Sequence, residues 1–162
     1  MDLYILRHGI AAERGDPKYP NDEDRPLTDE GQKKTLKIAR RMKELDLTFD
    51  LILSSPLARA RQTAEIAASV LGCKNRLKFS VHLAPGGSKR ELVREISKRK
   101  RVVLVGHEPD LSEFMSILLT GKTDLRIDLK KGGLAKLDVP ALRYGRCATL
   151  EWLASPKLLL EA

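Results

Sequence analysis

A chain of 162 residues with 42% hydrophobic and 32% charged residues has the composition of one soluble domain with room for a real core, read here as a single unit over 1–162. No apolar run approaches the roughly 20 residues a membrane helix needs, and no basic segment followed by an apolar one opens the chain, so the expected location is the cytoplasm. Two cysteines, Cys73 and Cys147, exclude a disulfide framework or a zinc cluster; the net charge of +8 invites a nucleic-acid reading, but much of it falls on a solvated helix face, and 4% aromatics are few for a base-stacking surface.

The first predicted element is a strand at 2–7. It is a short apolar run that ends on Arg7 and His8 and is followed by Gly9. A guanidinium is a planar fork of donors for phosphate oxygens, and a neutral imidazole is a nucleophile near pH 7. Gly9 suits a place where a side chain would be in the way. Residues 9–26 then form an irregular segment with three of the eight prolines, too long for an ordinary connection and of the length of a lid or binding loop. It holds five acids (Glu13, Asp16, Asp22, Glu23, Asp24) against three bases (Arg14, Lys18, Arg25), which predicts an influence on substrate choice.

A helix is predicted over 28–45, capped by Thr28, with Asp29 and Glu30 in its first turn. Gly31, Thr35, Ile38, Met42 and Leu45 form its inner face; Lys33, Lys34, Lys37, Arg40, Arg41 and Glu44 form a solvated outer face. A strand at 51–54 follows. The next helix is expected from about 56 to 71, with Ser55 as cap, Pro56 at the first position and Gly72 ending it. Arg59 falls on its first turn, where the helix dipole disfavours a cation, so a nearby anion is needed to explain it. Further elements are a strand near 78–81, a helix at 88–98, a strand at 101–106, a helix from Pro109 to about Leu119, and strands at 133–139 and 146–153. The strand at 101–106 repeats the first pattern: an apolar run ending in Gly106-His107 before a helix. Alternating strands and helices predict an α/β sandwich with a mostly parallel sheet, whose binding crevice lies beyond the carboxyl ends of the strands.

That edge collects Arg7, His8, Arg59 and His107, with helix N-termini adding amides and partial positive charge. Two imidazoles and two guanidiniums around one volume suit phosphoryl transfer through a covalent phosphohistidine; these motifs contain no carboxylate or cysteine cluster to hold a metal. The alternative is a non-catalytic phosphoprotein- or nucleic-acid-binding module, against which the complete set Arg7, His8, Arg59 and His107 argues.

Leu-Arg-His-Gly at 6–9, Arg-Pro-Leu-Thr with a glycine three residues on at 25–31, Ser-Ser-Pro-Leu-Ala-Arg-Ala-Arg-Gln-Thr-Ala at 54–64, Val-Gly-His-Glu-Pro-Asp-Leu at 105–111, and Trp152 with Ser155-Pro156 resemble the histidine phosphatase superfamily, which includes the cofactor-dependent phosphoglycerate mutases. Length and the Arg-Pro-Leu-Thr segment look like the SixA-type phosphohistidine phosphatases. The resemblance implies a three-layer α/β/α sandwich with a six-stranded sheet and one antiparallel strand, of phosphoglycerate mutase-like fold. It implies His8 as nucleophile and Arg7, Arg59 and His107 as the phosphate pocket, with Gly9 and the Glu108 backbone beside it. It also implies no cofactor or metal, and a phosphohistidine-bearing protein such as a phosphotransfer domain as partner. A small-molecule phosphomonoesterase with the same machinery is the rival substrate reading. The resemblance leads one to expect an acid, the mutases' proton donor, shortly before a Leu-x-Pro segment after the third strand. Here His82 precedes Leu83-Ala84-Pro85, which makes His82 the candidate donor and Glu108 the next.

Overall fold

The structure, a computed structural model, describes residues 1–161. Six strands form one sheet: β1 (Asp2–Arg7), β2 (Leu51–Ser54), β3 (Leu77–Phe79), β4 (Arg101–Gly106), β5 (Leu134–Asp138) and β6 (Thr149–Ala154), in the spatial order β3-β2-β4-β1-β5-β6. β5 runs antiparallel to both neighbours, and all other pairs are parallel. Helices α1 (Asp29–Glu44), α2 (Ala58–Val70) and α5 (Pro156–Glu161) cover one face; α3 (Lys89–Ile96) and α4 (Asp110–Thr120) cover the other. The sandwich expected from the sequence is therefore present.

Strands buried on both faces read as continuous apolar runs, and β1 and β4 do so because each face feeds a separate core. Leu3, Ile5, Val102 and Leu104 pack against Leu92 and Ile96 of α3 and Phe114 and Met115 of α4. Tyr4, Leu6, Val103 and Val105 pack against Ile38 and Met42 of α1 and the alanines Ala60, Ala64 and Ala68 of α2. These alanines of α2 are fully buried in that core, and Arg59 is buried on the first turn of the same helix.

Several boundaries differ from the sequence reading. Thr28 does cap α1, accepting from the Gly31 N–H at 3.0 Å. The helix stops at Glu44, however, and Leu45 lies outside its inner face, 41% exposed, while Ala39 is buried instead. Helix α2 starts at Ala58, because the Ser55 hydroxyl accepts from Leu57 N–H in a tight turn before the helix rather than capping it from Pro56. The third strand is Leu77–Phe79, and Val81–Leu83 is a 3-10 turn. Helix α5, absent from the sequence reading, follows Ser155, whose hydroxyl accepts from Leu158 N–H at 3.3 Å; Pro156 at a first helical position is the available signal.

Candidate active site

β1 and β4 are adjacent, parallel and in register, with Arg7 opposite Gly106. The ladder continues one residue further, His8 N–H donating to Gly106 O at 3.1 Å. Register alone therefore sets His8 beside His107; the imidazole centroids lie 5.2 Å apart. Loop 129–133 closes the same edge: Arg7 Nη1 donates to Leu129 O at 3.0 Å, and Gly132 N–H is shared between the carbonyls of Arg7 and His8.

His8 Nδ1 lies 2.7 Å from Gly9 O. A carbonyl oxygen can only accept, so Nδ1 carries the proton and Nε2 keeps its lone pair. Burial pushes the His8 pKa down to about 3, a shift to which His107, Arg59 and Arg7 add and which the Gly9 hydrogen bond opposes, so the ring is neutral at physiological pH. Burial, then the Arg59 charge, takes His107 down to about 4.

Gly9 is required by close approach. A Cβ there would meet Thr35 Oγ1 and Leu27 Cδ2, and its N–H donates to Thr63 Oγ1 at 3.1 Å. Gly9 thus orients the His8 ring through its carbonyl, and its amide is committed to Thr63. The glycine of the Arg-Pro-Leu-Thr segment has a similar cause: a Cβ on Gly31 would collide with the Ile10 carbonyl. That carbonyl also takes Thr28 N–H at 3.0 Å, stitching the loop that follows His8 to the start of α1.

Arg59 is 2% exposed at the cleft. The anion that its place on a helical first turn demands is Asp22: Nη1 donates to Asp22 O at 2.9 Å and Nη2 to Oδ2 at 3.1 Å. His107 Nε2 lies 2.8 Å from Ser55 Oγ, a contact that reading Ser55 as a helix cap does not anticipate. Arg7 Nε, Arg59 Nε and His107 Nδ1 are buried and have no protein partner among the described residues. Buried donors of this kind are costly unless a ligand completes them.

Arg7, His8, Arg59, His107 and Glu108 line one cleft of about 710 Å³, a usual size for a small ligand. His82 is not among its lining residues. It stands half-buried on the 3-10 turn before Pro85 and Gly86, which do border the cleft. The backbone of that turn folds back on itself so tightly that a Cβ on Gly87 would collide with the His82 carbonyl. Glu108 instead brings a carboxyl to the cleft. Burial raises its pKa, opposed by hydrogen bonds from the Ser112 hydroxyl and the Ser112 N–H (3.0 Å) and by the Arg7 charge.

A sequence model of the histidine phosphatase superfamily, branch 1, matches residues 3–81. An uncharacterized protein of Picosynechococcus sp. is 44% identical over 99% of both chains. The probable phosphoglycerate mutase GpmB of Escherichia coli is 38% identical over 45% of this chain, a match spanning 33% of that protein. Among solved structures, the protein histidine phosphatase SixA complexed with tungstate superposes with a TM-score of 0.81 at 24% identity, covering 96% of this chain and 97% of that one. The alpha-ribazole phosphatase of Shigella flexneri does so with a TM-score of 0.72 at 18% identity, over 96% and 97%. These two similarities describe the fold.

Proposed function

Since the chain belongs to the histidine phosphatase superfamily, we propose that it hydrolyses phosphohistidine on a protein through a covalent phosphohistidine on His8. The observation that carries this reading is the His8 ring itself: neutral, proton held on Nδ1 by the Gly9 carbonyl, Nε2 free, and flanked by Arg7, Arg59 and His107. His8 Nε2 attacks phosphorus as the bond to the leaving nitrogen breaks, and the leaving imidazole takes the Glu108 proton. Water then attacks the phosphoenzyme. Its proton returns to Glu108, and inorganic phosphate departs. Arg7 and Arg59 stabilise the charge on the phosphoryl oxygens. The His107 tautomer we assign has Ser55 donating to Nε2, since the Ser55 hydroxyl proton has no other acceptor among the described residues, and this makes Nδ1–H a further donor to the phosphoryl group.

The positive charge in this scheme is supplied by side chains, so chelators leave the rate unchanged. The fold shared with SixA supports a phosphoprotein substrate, and a phosphotransfer domain is the expected partner. The equal coverage of the alpha-ribazole phosphatase supports the rival, a small phosphate ester. No helix among the described residues is long and apolar enough to cross a membrane. The cytoplasm, expected from the sequence, is the location that goes with this proposal. The deciding experiment compares kcat/KM on a phosphohistidine-bearing phosphotransfer domain with kcat/KM on alkyl phosphates such as alpha-ribazole phosphate. The proposal expects the protein substrate to lead by at least about tenfold; the reverse order hands the function to the ester.

A further inference from the structure

The phosphatase cleft is unusual for a phosphate site in its charge. Five cations line it, Arg7 and Arg59 among them, but so do five carboxyls, on a protein of net charge +8. Two of those carboxyls, Asp110 and Glu113, share the single charge of Lys89 at 3.0 and 3.2 Å. Asp22 is different, because it binds a residue of the phosphate pocket.

Asp22 holds Arg59 at both terminal nitrogens, through its carbonyl and through Oδ2. Its other carboxylate oxygen takes Arg25 Nε at 2.9 Å and Nη2 at 2.8 Å. Arg59 Nε stays without a protein partner among the described residues. Each terminal nitrogen carries two N–H groups and Asp22 takes one bond from each, so donors remain for a phosphoryl group, yet the negative charge of Asp22 sits within contact of one of the two guanidiniums that the group meets. Burial would raise the Asp22 pKa, but the hydrogen bonds and charges of Arg25 and Arg59 outweigh it and keep the group ionised. With both imidazoles neutral, Arg7, Arg25 and Arg59 less Asp22 present two net positive charges to the incoming group, one fewer than the guanidiniums alone.

Resting on the phosphatase reading above, we propose that Asp22 is a specificity-determining residue: by cancelling part of the Arg59 charge it matches the pocket to a phosphoryl group borne on a cationic nitrogen and disfavours dianionic phosphate esters and inorganic phosphate. Phosphoramidate, protonated on nitrogen, carries a net charge of about −1 at neutral pH, and phosphohistidine does so whenever its imidazole, which titrates near neutrality, is protonated, whereas an aryl or alkyl phosphate carries about −2. A single charge at contact distance in a partly solvated site is worth about a factor of ten in affinity. Specificity then comes from a repulsive element as much as from the attractive pocket.

The test uses the full chain and its Asp22→Asn variant, with phosphoramidate and para-nitrophenyl phosphate as the probes. Asn keeps the shape and one acceptor and removes the charge. The expected result is a shift of about tenfold in the ratio of kcat/KM values toward the aryl ester. Asp22→Glu should restore the wild-type preference. Calorimetric titration with inorganic phosphate should show about tenfold tighter binding to Asp22→Asn, a readout independent of turnover. An unchanged ratio, or an equal fall on both substrates with unchanged phosphate affinity, overturns the proposal and leaves Asp22 a strut for Arg59. A wild-type protein that turns over neither probe defeats the phosphatase reading instead, and phosphate affinity still decides the role of Asp22.

Discussion

The floor of the cleft and its loop wall are built by different means. The floor consists of the ends of β1 and β4, where Arg7, His8 and His107 are fixed by strand register and by backbone hydrogen bonds to Gly106, Gly9 and Leu129. The wall is the segment from Gly9 to Thr28, anchored by ion pairs from Asp22 to Arg25, Arg59 and the exposed Arg14. Register is all-or-none, since a slip by one residue would move every side chain to the other face. Ion pairs at a half-exposed carboxylate are individually weak and can be retuned without loss of the fold. In the proposed reaction, chemistry resides where the sheet leaves no freedom, and selectivity where single charges decide.

Removing charge from beside the floor puts that division under the greatest strain. Arg59→Ala should lower kcat/KM on phosphoramidate by about 10³-fold, the usual scale for losing one transition-state donor, measured by steady-state kinetics. A loss under tenfold would mean that Arg59 merely anchors the loop. Next in size is Glu108→Gln. It should slow an alkyl phosphate by about 10²-fold while changing para-nitrophenyl phosphate by under about threefold, because an aryloxide needs little proton assistance. It should also remove the basic limb of the alkyl pH–rate profile. Equal losses on both substrates would assign Glu108 to binding and reopen the choice of donor.

The floor also carries a pH signature in stability. The folded His8 pKa of about 3 lies below the unfolded value near 6.5, so the neutral form stabilises the fold above that value, and this contribution is lost as pH falls from there toward 3. Urea unfolding at pH 7.5 and pH 5 should therefore differ less in His8→Ala than in the wild type, by on the order of 1–2 kcal/mol. Identical pH dependences would place His8 in a more solvated setting than the structure gives it. The slightest change belongs to the wall. Glu23 and Asp24 neighbour Asp22 but do not line the cleft. Changing both to amides should alter the ratio of phosphoramidate to aryl-ester turnover by less than about twofold; a larger change would make the acidity of the whole loop, rather than Asp22, the selective feature.

The same division explains what could be read before folding. Arg7, His8 and His107 are legible because an apolar run ending in a polar residue places that residue at a strand's carboxyl edge, and parallel neighbours align their ends. Arg59 is half legible: a cation on a helix's first turn calls for an anion, but that the anion is Asp22, 37 positions away in the chain, depends on how an irregular loop folds back. Ser55 reads as a cap because Ser-Pro commonly opens a helix; its hydroxyl is instead shared by Leu57 N–H and His107, a contact across 52 residues. The His82 position is misleading for a related reason. A segment can match a family pattern in sequence and still keep its side chain out of the cleft lining, and Glu108, next to His107 in the chain, is among the carboxyls that do line the cleft.

The proposed hydrolysis rests on a covalent intermediate on His8, and that intermediate can be trapped. Wild-type protein quenched within milliseconds of mixing with radiolabelled phosphoramidate should carry an acid-labile, base-stable label that maps to His8 by mass spectrometry of the proteolysed chain. His8→Ala, folded by its melting curve, should take up none and turn over no substrate. Label on another residue, or undiminished turnover in His8→Ala, would contradict the mechanism.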